Sequence, residues 1–76
     1  MNTLEILTGI FRTVFDNDTL QLRPETTAHE VEGWDSLSHV NLMLAIETAF
    51  RIRFSSREML SFRNVGELLA CIESKV

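Results

Sequence analysis

Ser36 is the residue whose place in the sequence best suits it to chemistry. It directly follows Asp35, and the two open a stretch, Ser36 to about Arg51, that lacks glycine and proline and is rich in Leu, Met, Ala and Ile. An aspartate ahead of such a run is a good helix N-cap. A serine one position later stands in the first helical turn, where backbone N–H groups lack intrahelical partners and the helix dipole is positive. A phosphate ester on the Ser36 hydroxyl would be held there at little cost. The same arrangement also serves ordinary capping, and the residue types alone do not separate the two.

Other reactive side chains are few and scattered. Cys71 is the only cysteine, which excludes an internal disulfide and a thiolate-rich metal site. His29 and His39 have no further ligands at metal-binding spacing, so a metal enzyme is not expected. Neither histidine, nor any other base, is set up as the partner of a nucleophile. A chain of 76 residues hides only about 60% of the surface its unfolded form exposes, leaving no room for a deep catalytic cleft. One domain, residues 1–76, that is not itself an enzyme is the expectation.

The elements that must position Ser36 are helical. Leu4, Leu7, Phe11 and Val14, with Ile10 beside them, recur at spacings of three and four and predict a helix from about Thr3 to Phe15. Asn2 is its cap, and Glu5 completes the pattern of a capping box. Residues 16–35 contain the only proline, Pro24, together with Gly33 and a pair of threonines, and show no sustained period. This predicts a long loop, pinned by Leu20, Leu22, Val31 and Trp34. A strand at Leu20 to Leu22 would have no partner to pair with. A loop this long in so small a domain is uncommon unless it is functional or tied down.

In the helix that starts at Ser36 the apolar residues form two groups. At 100° per residue, Leu42, Met43, Ile46 and Phe50 gather on one side, while Leu37, Val40 and Leu44 gather roughly 100–200° away. The first group can pack on helix 1, and the second is left over. Ser55-Ser56-Arg57-Glu58 has a capping-box pattern and predicts a short helical turn through Met59 and Leu60. Asn64-Val65-Gly66-Glu67 repeats it, and Val65, Leu68, Leu69, Ile72 and Val76 form the apolar face of a last helix. Gly66 weakens that helix by about 1 kcal/mol relative to alanine. The predicted fold is all-α: a small four-helix bundle of three main helices and one short one, with the long loop between the first two.

The formal net charge of −4 argues against nucleic acid, whose binding rests on Lys and Arg neutralising phosphates. The charge is unevenly spread. Residues 16–35 hold Asp16, Asp18, Glu25, Glu30, Glu32 and Asp35 against Arg23 alone, whereas residues 36–66 hold Arg51, Arg53, Arg57 and Arg63 against Glu47 and Glu58. Met1 is followed by polar Asn2-Thr3, with no basic segment leading into an apolar run and no stretch long enough to span a bilayer. A cytoplasmic location and a monomeric state are expected.

Asp35-Ser36-Leu37, at the start of a Leu- and Val-rich helix after a long acidic loop, resembles the phosphopantetheine attachment motif of acyl and peptidyl carrier proteins. The similarity runs the length of the chain. Ala45-Ile46-Glu47 followed by Phe50 is how that family's second helix continues, and a short third helix and a fourth helix capped before a valine follow. The length suits a free-standing carrier.

The resemblance implies that 4′-phosphopantetheine, donated from coenzyme A by a separate phosphopantetheinyl transferase, is attached to Ser36 and carries acyl or aminoacyl groups as thioesters. It gives Asp35 two jobs, helix cap and recognition by the transferase. It implies that Leu37, Val40, Leu44 and Glu47 meet acyl- or aminoacyl-loading and processing enzymes. It places His39 near a possible acyl pocket, although a hydrogen-bonded position at the edge of the core is the plainer expectation. One departure is evident. Carriers of primary fatty-acid synthesis present a strongly acidic second helix and following segment, and here Asn41, Thr48, Arg51, Arg53 and Arg57 replace much of that acidity. Partner choice follows electrostatic complementarity, so a specialised pathway such as polyketide or non-ribosomal peptide synthesis is expected. The alternative is a small helical adaptor domain without a prosthetic group, in which Ser36 is an ordinary cap residue.

Overall fold

The computed structural model describes residues 2–76 and contains four α-helices: α1 (Thr3–Val14), α2 (Ser36–Phe50), α3 (Ser56–Met59) and α4 (Val65–Lys75). All four were expected, with ends within a residue or two of those predicted. Each is started by a side-chain cap. Asn2 Oδ1 accepts from Glu5 N–H at 2.8 Å, Asp35 Oδ1 from Ser38 N–H at 2.9 Å, Ser55 Oγ from Glu58 N–H at 3.1 Å and Asn64 Oδ1 from Glu67 N–H at 2.9 Å. The capping box is reciprocal at α3, where Glu58 accepts from Ser55 N–H. At α4 the glutamate reaches one residue further back, and Glu67 Oε1 accepts from Arg63 N–H at 2.8 Å rather than from the cap.

Helix α1 packs on both α2 and α4. The core between them is built from Leu7, Phe11, Leu42, Met43, Ile46, Val65, Leu68 and Ile72, each at most 1% exposed. The two apolar groups of α2 separate as their angles predict. Leu42, Met43 and Ile46 are fully buried, while Leu37, Val40 and Leu44 remain 73%, 52% and 53% exposed. Ile52 and Phe54, between α2 and α3, are also buried, which the periodic pattern did not reveal.

The loop before α2 is docked rather than free. Leu22 and Val31 are buried, and Leu20 and Trp34 pack against the core. It also contains a 3₁₀ turn, Ala28–Glu30, that sequence periodicity does not show. Its attachment to α4 runs through the backbone. Val65 N–H donates to Thr26 C=O at 2.8 Å and Gly66 N–H to Pro24 C=O at 2.6 Å, while the buried Thr26 hydroxyl accepts from Arg23 N–H. Two first-turn donors of α4, which an isolated helix would leave to water, are thus satisfied by the loop.

This contact explains Gly66. A Cβ there would lie 2.9 Å from the Pro24 carbonyl oxygen, whereas a Cβ on Gly9, in the middle of α1, would meet nothing within 4 Å. Helix propensity favours alanine by about 1 kcal/mol at both sites. Gly9→Ala is therefore expected to raise the melting temperature by several degrees, and Gly66→Ala to lower it, because a backbone oxygen cannot swing aside. Thermal melts followed by circular dichroism compare them, and a rise for Gly66→Ala would mean that the loop is not firmly seated.

Candidate functional site

Gly33, with φ +89°, lies in the left-handed region that favours glycine and turns the chain into Trp34-Asp35-Ser36. Trp34 then anchors the start of α2. Its ring meets Phe11 edge-on at 5.3 Å and Phe15 at 6.0 Å, and it stacks on His39 at 6.0 Å with 17° between planes. Packing the loop end against the helix start is the role expected of it.

Ser36 is the first residue of the 15-residue α2, and it is exposed. Asp35 is engaged as the cap. The Ser38 backbone N–H, and then the Ser38 hydroxyl, hold its carboxyl below the usual carboxylate value of 3.8. Because the folded form is the one with the lowered value, this cap contributes fully above that pH and is lost as the pH falls below it. With Trp34, His39, Val40, Met59 and Leu60, Ser36 lines a cleft of about 470 Å³ that also includes Phe62 and Arg63.

His39 is hydrogen-bonded at the edge of the core, the plainer of its two expected positions. Trp34 Nε1–H donates to its Nδ1 at 3.0 Å, and its Nε2 lies 2.5 Å from Met59 C=O. An indole N–H only donates and a carbonyl only accepts, so the bonded ring is the neutral form with its hydrogen on Nε2. Both nitrogens are thereby occupied, and His39 is no base for the Ser36 hydroxyl.

The expected docking residues do not share one role. Leu37, Val40 and Leu44 are exposed, and Leu60, 84% exposed, extends the apolar surface from α3. Glu47 is half-buried and has a partner within the chain. Its Oε2 accepts from Phe54 N–H at 2.8 Å, so it fastens the segment after α2 and its carboxylate is already engaged. Leu44, Thr48, Arg51 and Arg53 surround a second cleft of about 420 Å³ together with Glu47. Cys71, expected to be a small, partly buried residue, is so placed. Burial, with Glu58 next to it, pushes its thiol up, and Sγ lies 3.6 Å from Glu58 Oε2.

The donor set and space fit a phosphopantetheine group. An exposed hydroxyl at a helix N-terminus accommodates a phosphodiester, and the adjoining cleft offers an apolar wall to the rest of the arm. Comparison with known proteins agrees. Residues 5–72 match the family model described as "Phosphopantetheine attachment site". Among solved structures, a holo acyl carrier protein from Geobacter metallireducens is 44% identical, with a TM-score of 0.90 over 99% of this chain and 86% of that one. The chain belongs to the acyl carrier protein family.

Proposed function

We propose that Ser36 is the residue of this acyl carrier protein to which 4′-phosphopantetheine is joined, and that the exposed face of α2 is where partner enzymes meet it. The carrier is not itself an enzyme. When attached, the arm supplies a terminal thiol on which an acyl or aminoacyl group is held as a thioester. The observation that carries the Ser36 assignment is its position, an exposed hydroxyl on the first residue of α2, lining a cleft with an apolar wall. Asp35 holds that turn in place through Ser38, and His39 is tied to Trp34 and Met59. As the family to which the chain belongs implies, attachment is the work of a separate phosphopantetheinyl transferase. No helix is long and apolar enough to cross a membrane among the described residues.

The pathway served is a specialised one, such as polyketide, non-ribosomal peptide or surface-glycan modification, rather than primary fatty-acid synthesis. The charge on the docking side supports this reading. The only acid of α2 is Glu47, which is engaged with Phe54 N–H. Arg51, Arg53 and Arg57 are exposed, and none of them takes part in an ion pair among the described residues. Rim charges act mainly on association rate. The holo-protein is therefore expected to be elongated by fatty-acid synthase enzymes roughly tenfold or more slowly than a fatty-acid carrier. Arg51→Glu, Arg53→Glu and Arg57→Glu combined should recover much of that rate. Elongation of the unaltered protein at the full rate would contradict the specialised pathway.

A further inference from the structure

The short α3 is clamped from two sides. Glu58 pairs with Lys75 of α4 at 3.2 Å and accepts from Cys71, while Met59 C=O is bonded to His39 of α2. His39 in turn receives the Trp34 indole N–H and stacks on that ring. The histidine thus ties three segments together: the end of the long loop, the first turns of α2 and the end of α3. It does so in the wall of the cleft that Ser36 lines. One turn further along the same face of α2 is Met43, fully buried among the core side chains.

An alkyl chain leaving Ser36 for the core between α2 and α3 would have to part His39 from Met59 or from Trp34. It offers no hydrogen bond in return, so an indole N–H, a carbonyl or a ring nitrogen, each part-buried, would lose its partner beneath the chain. Remaining in the cleft breaks nothing, and Trp34, Val40, Leu60 and Phe62 give the cargo apolar surface there.

We infer that His39 is a specificity-determining residue: bonded on both ring nitrogens, it closes the passage between α2 and α3 to alkyl chains, so that the acyl group lies in the outer cleft and not in the core. The inference rests on Ser36 carrying the arm, which the intact mass of the loaded protein checks separately before any other reading is taken.

The test uses the full chain loaded with octanoyl-phosphopantetheine by a broad-specificity transferase from octanoyl-coenzyme A, with the protein carrying unacylated phosphopantetheine as reference. Methyl NMR of the wild type should show shifts at Val40 and Leu60, none beyond error at Met43, Ile46 and Leu68, and no rise in melting temperature on acylation. His39→Leu, which removes the polar tie, should let the octanoyl chain move the core methyls and raise the melting temperature. His39→Gln, whose amide can accept from Trp34 and donate to Met59, should behave as the wild type. Core shifts in the wild type as large as those at Val40 would overturn the inference, and that comparison stands even if His39→Leu does not fold. Continued exclusion in a folded His39→Leu would overturn it as well.

Discussion

Ile46→Asp is expected to unfold the protein, while Leu44→Asp, two residues earlier on the same helix, leaves it folded. Ile46 is fully buried among Leu42, Met43 and the facing side chains of α1 and α4. Losing a buried isoleucine side chain costs about 2–5 kcal/mol, and an unpaired carboxylate in its place adds to that. A domain of this size has a total stability of about 4–11 kcal/mol, at roughly 0.05–0.15 kcal/mol per residue. The substitution therefore consumes most or all of it. Leu44 is 53% exposed and lies by Arg51 and Arg53. An aspartate there stays in water and near positive charge, so the helical circular-dichroism signal and most of the melting temperature should survive. Its damage should appear as weaker transfer between the loaded carrier and its partner enzyme, since a charge enters an apolar contact. Thermal melts and partner turnover, measured side by side, separate the two. Unfolding of Leu44→Asp would make the outer face of α2 part of the core and end the docking assignment.

Ser36→Ala is expected to abolish loading altogether and to change stability by no more than about 0.5 kcal/mol, the usual range for a surface position. The Ser36 hydroxyl caps nothing, because the cap is Asp35, and the exposed side chain has no partner in the core. Fold and function are thus expected to part at this one atom. The measurement is a melt together with the intact mass after incubation with transferase and coenzyme A. A folded Ser36→Ala protein that still gained the group would remove Ser36 from the role assigned to it.

Those two results depend on features that differ in how visible they are in the chain itself. Helices α1 and α4 follow from apolar spacing, α2 from a run without glycine or proline that is rich in Leu, Met, Ala and Ile, and their starts from Asn2, Asp35 and Asn64, because helix propensity, geometry and capping are local. The division of α2 into Ile46 and Leu44 faces is likewise a matter of angle. Trp34 was expected to pin the loop, and its aromatic contacts with Phe11 and Phe15 do so.

The contacts that seat the loop on α4 could not be read in this way. Thr26 C=O to Val65 and Pro24 C=O to Gly66 are backbone bonds between distant segments, and backbone bonds leave no residue signature. Gly66 was the one visible trace, and local propensity alone cast it as a weakness rather than a point of close approach. The hydrogen bond of Glu47 was hidden for a related reason. A carboxylate near the end of a helix looks the same in sequence whether or not it accepts, as here, from a backbone N–H seven residues on. For His39 the residue type allowed both a pocket and a polar tie, and only the positions of Trp34 and Met59 decide between them.

The central claim is that one hydroxyl in this chain receives the arm. Its most direct test is to incubate the purified wild-type protein with coenzyme A and a broad-specificity phosphopantetheinyl transferase, then record the intact mass and map the modified peptide. The account predicts a gain of a single phosphopantetheine group, placed on Ser36. An unchanged mass under conditions that fully convert a control carrier, or a group placed on Ser38 or any other serine, would contradict it.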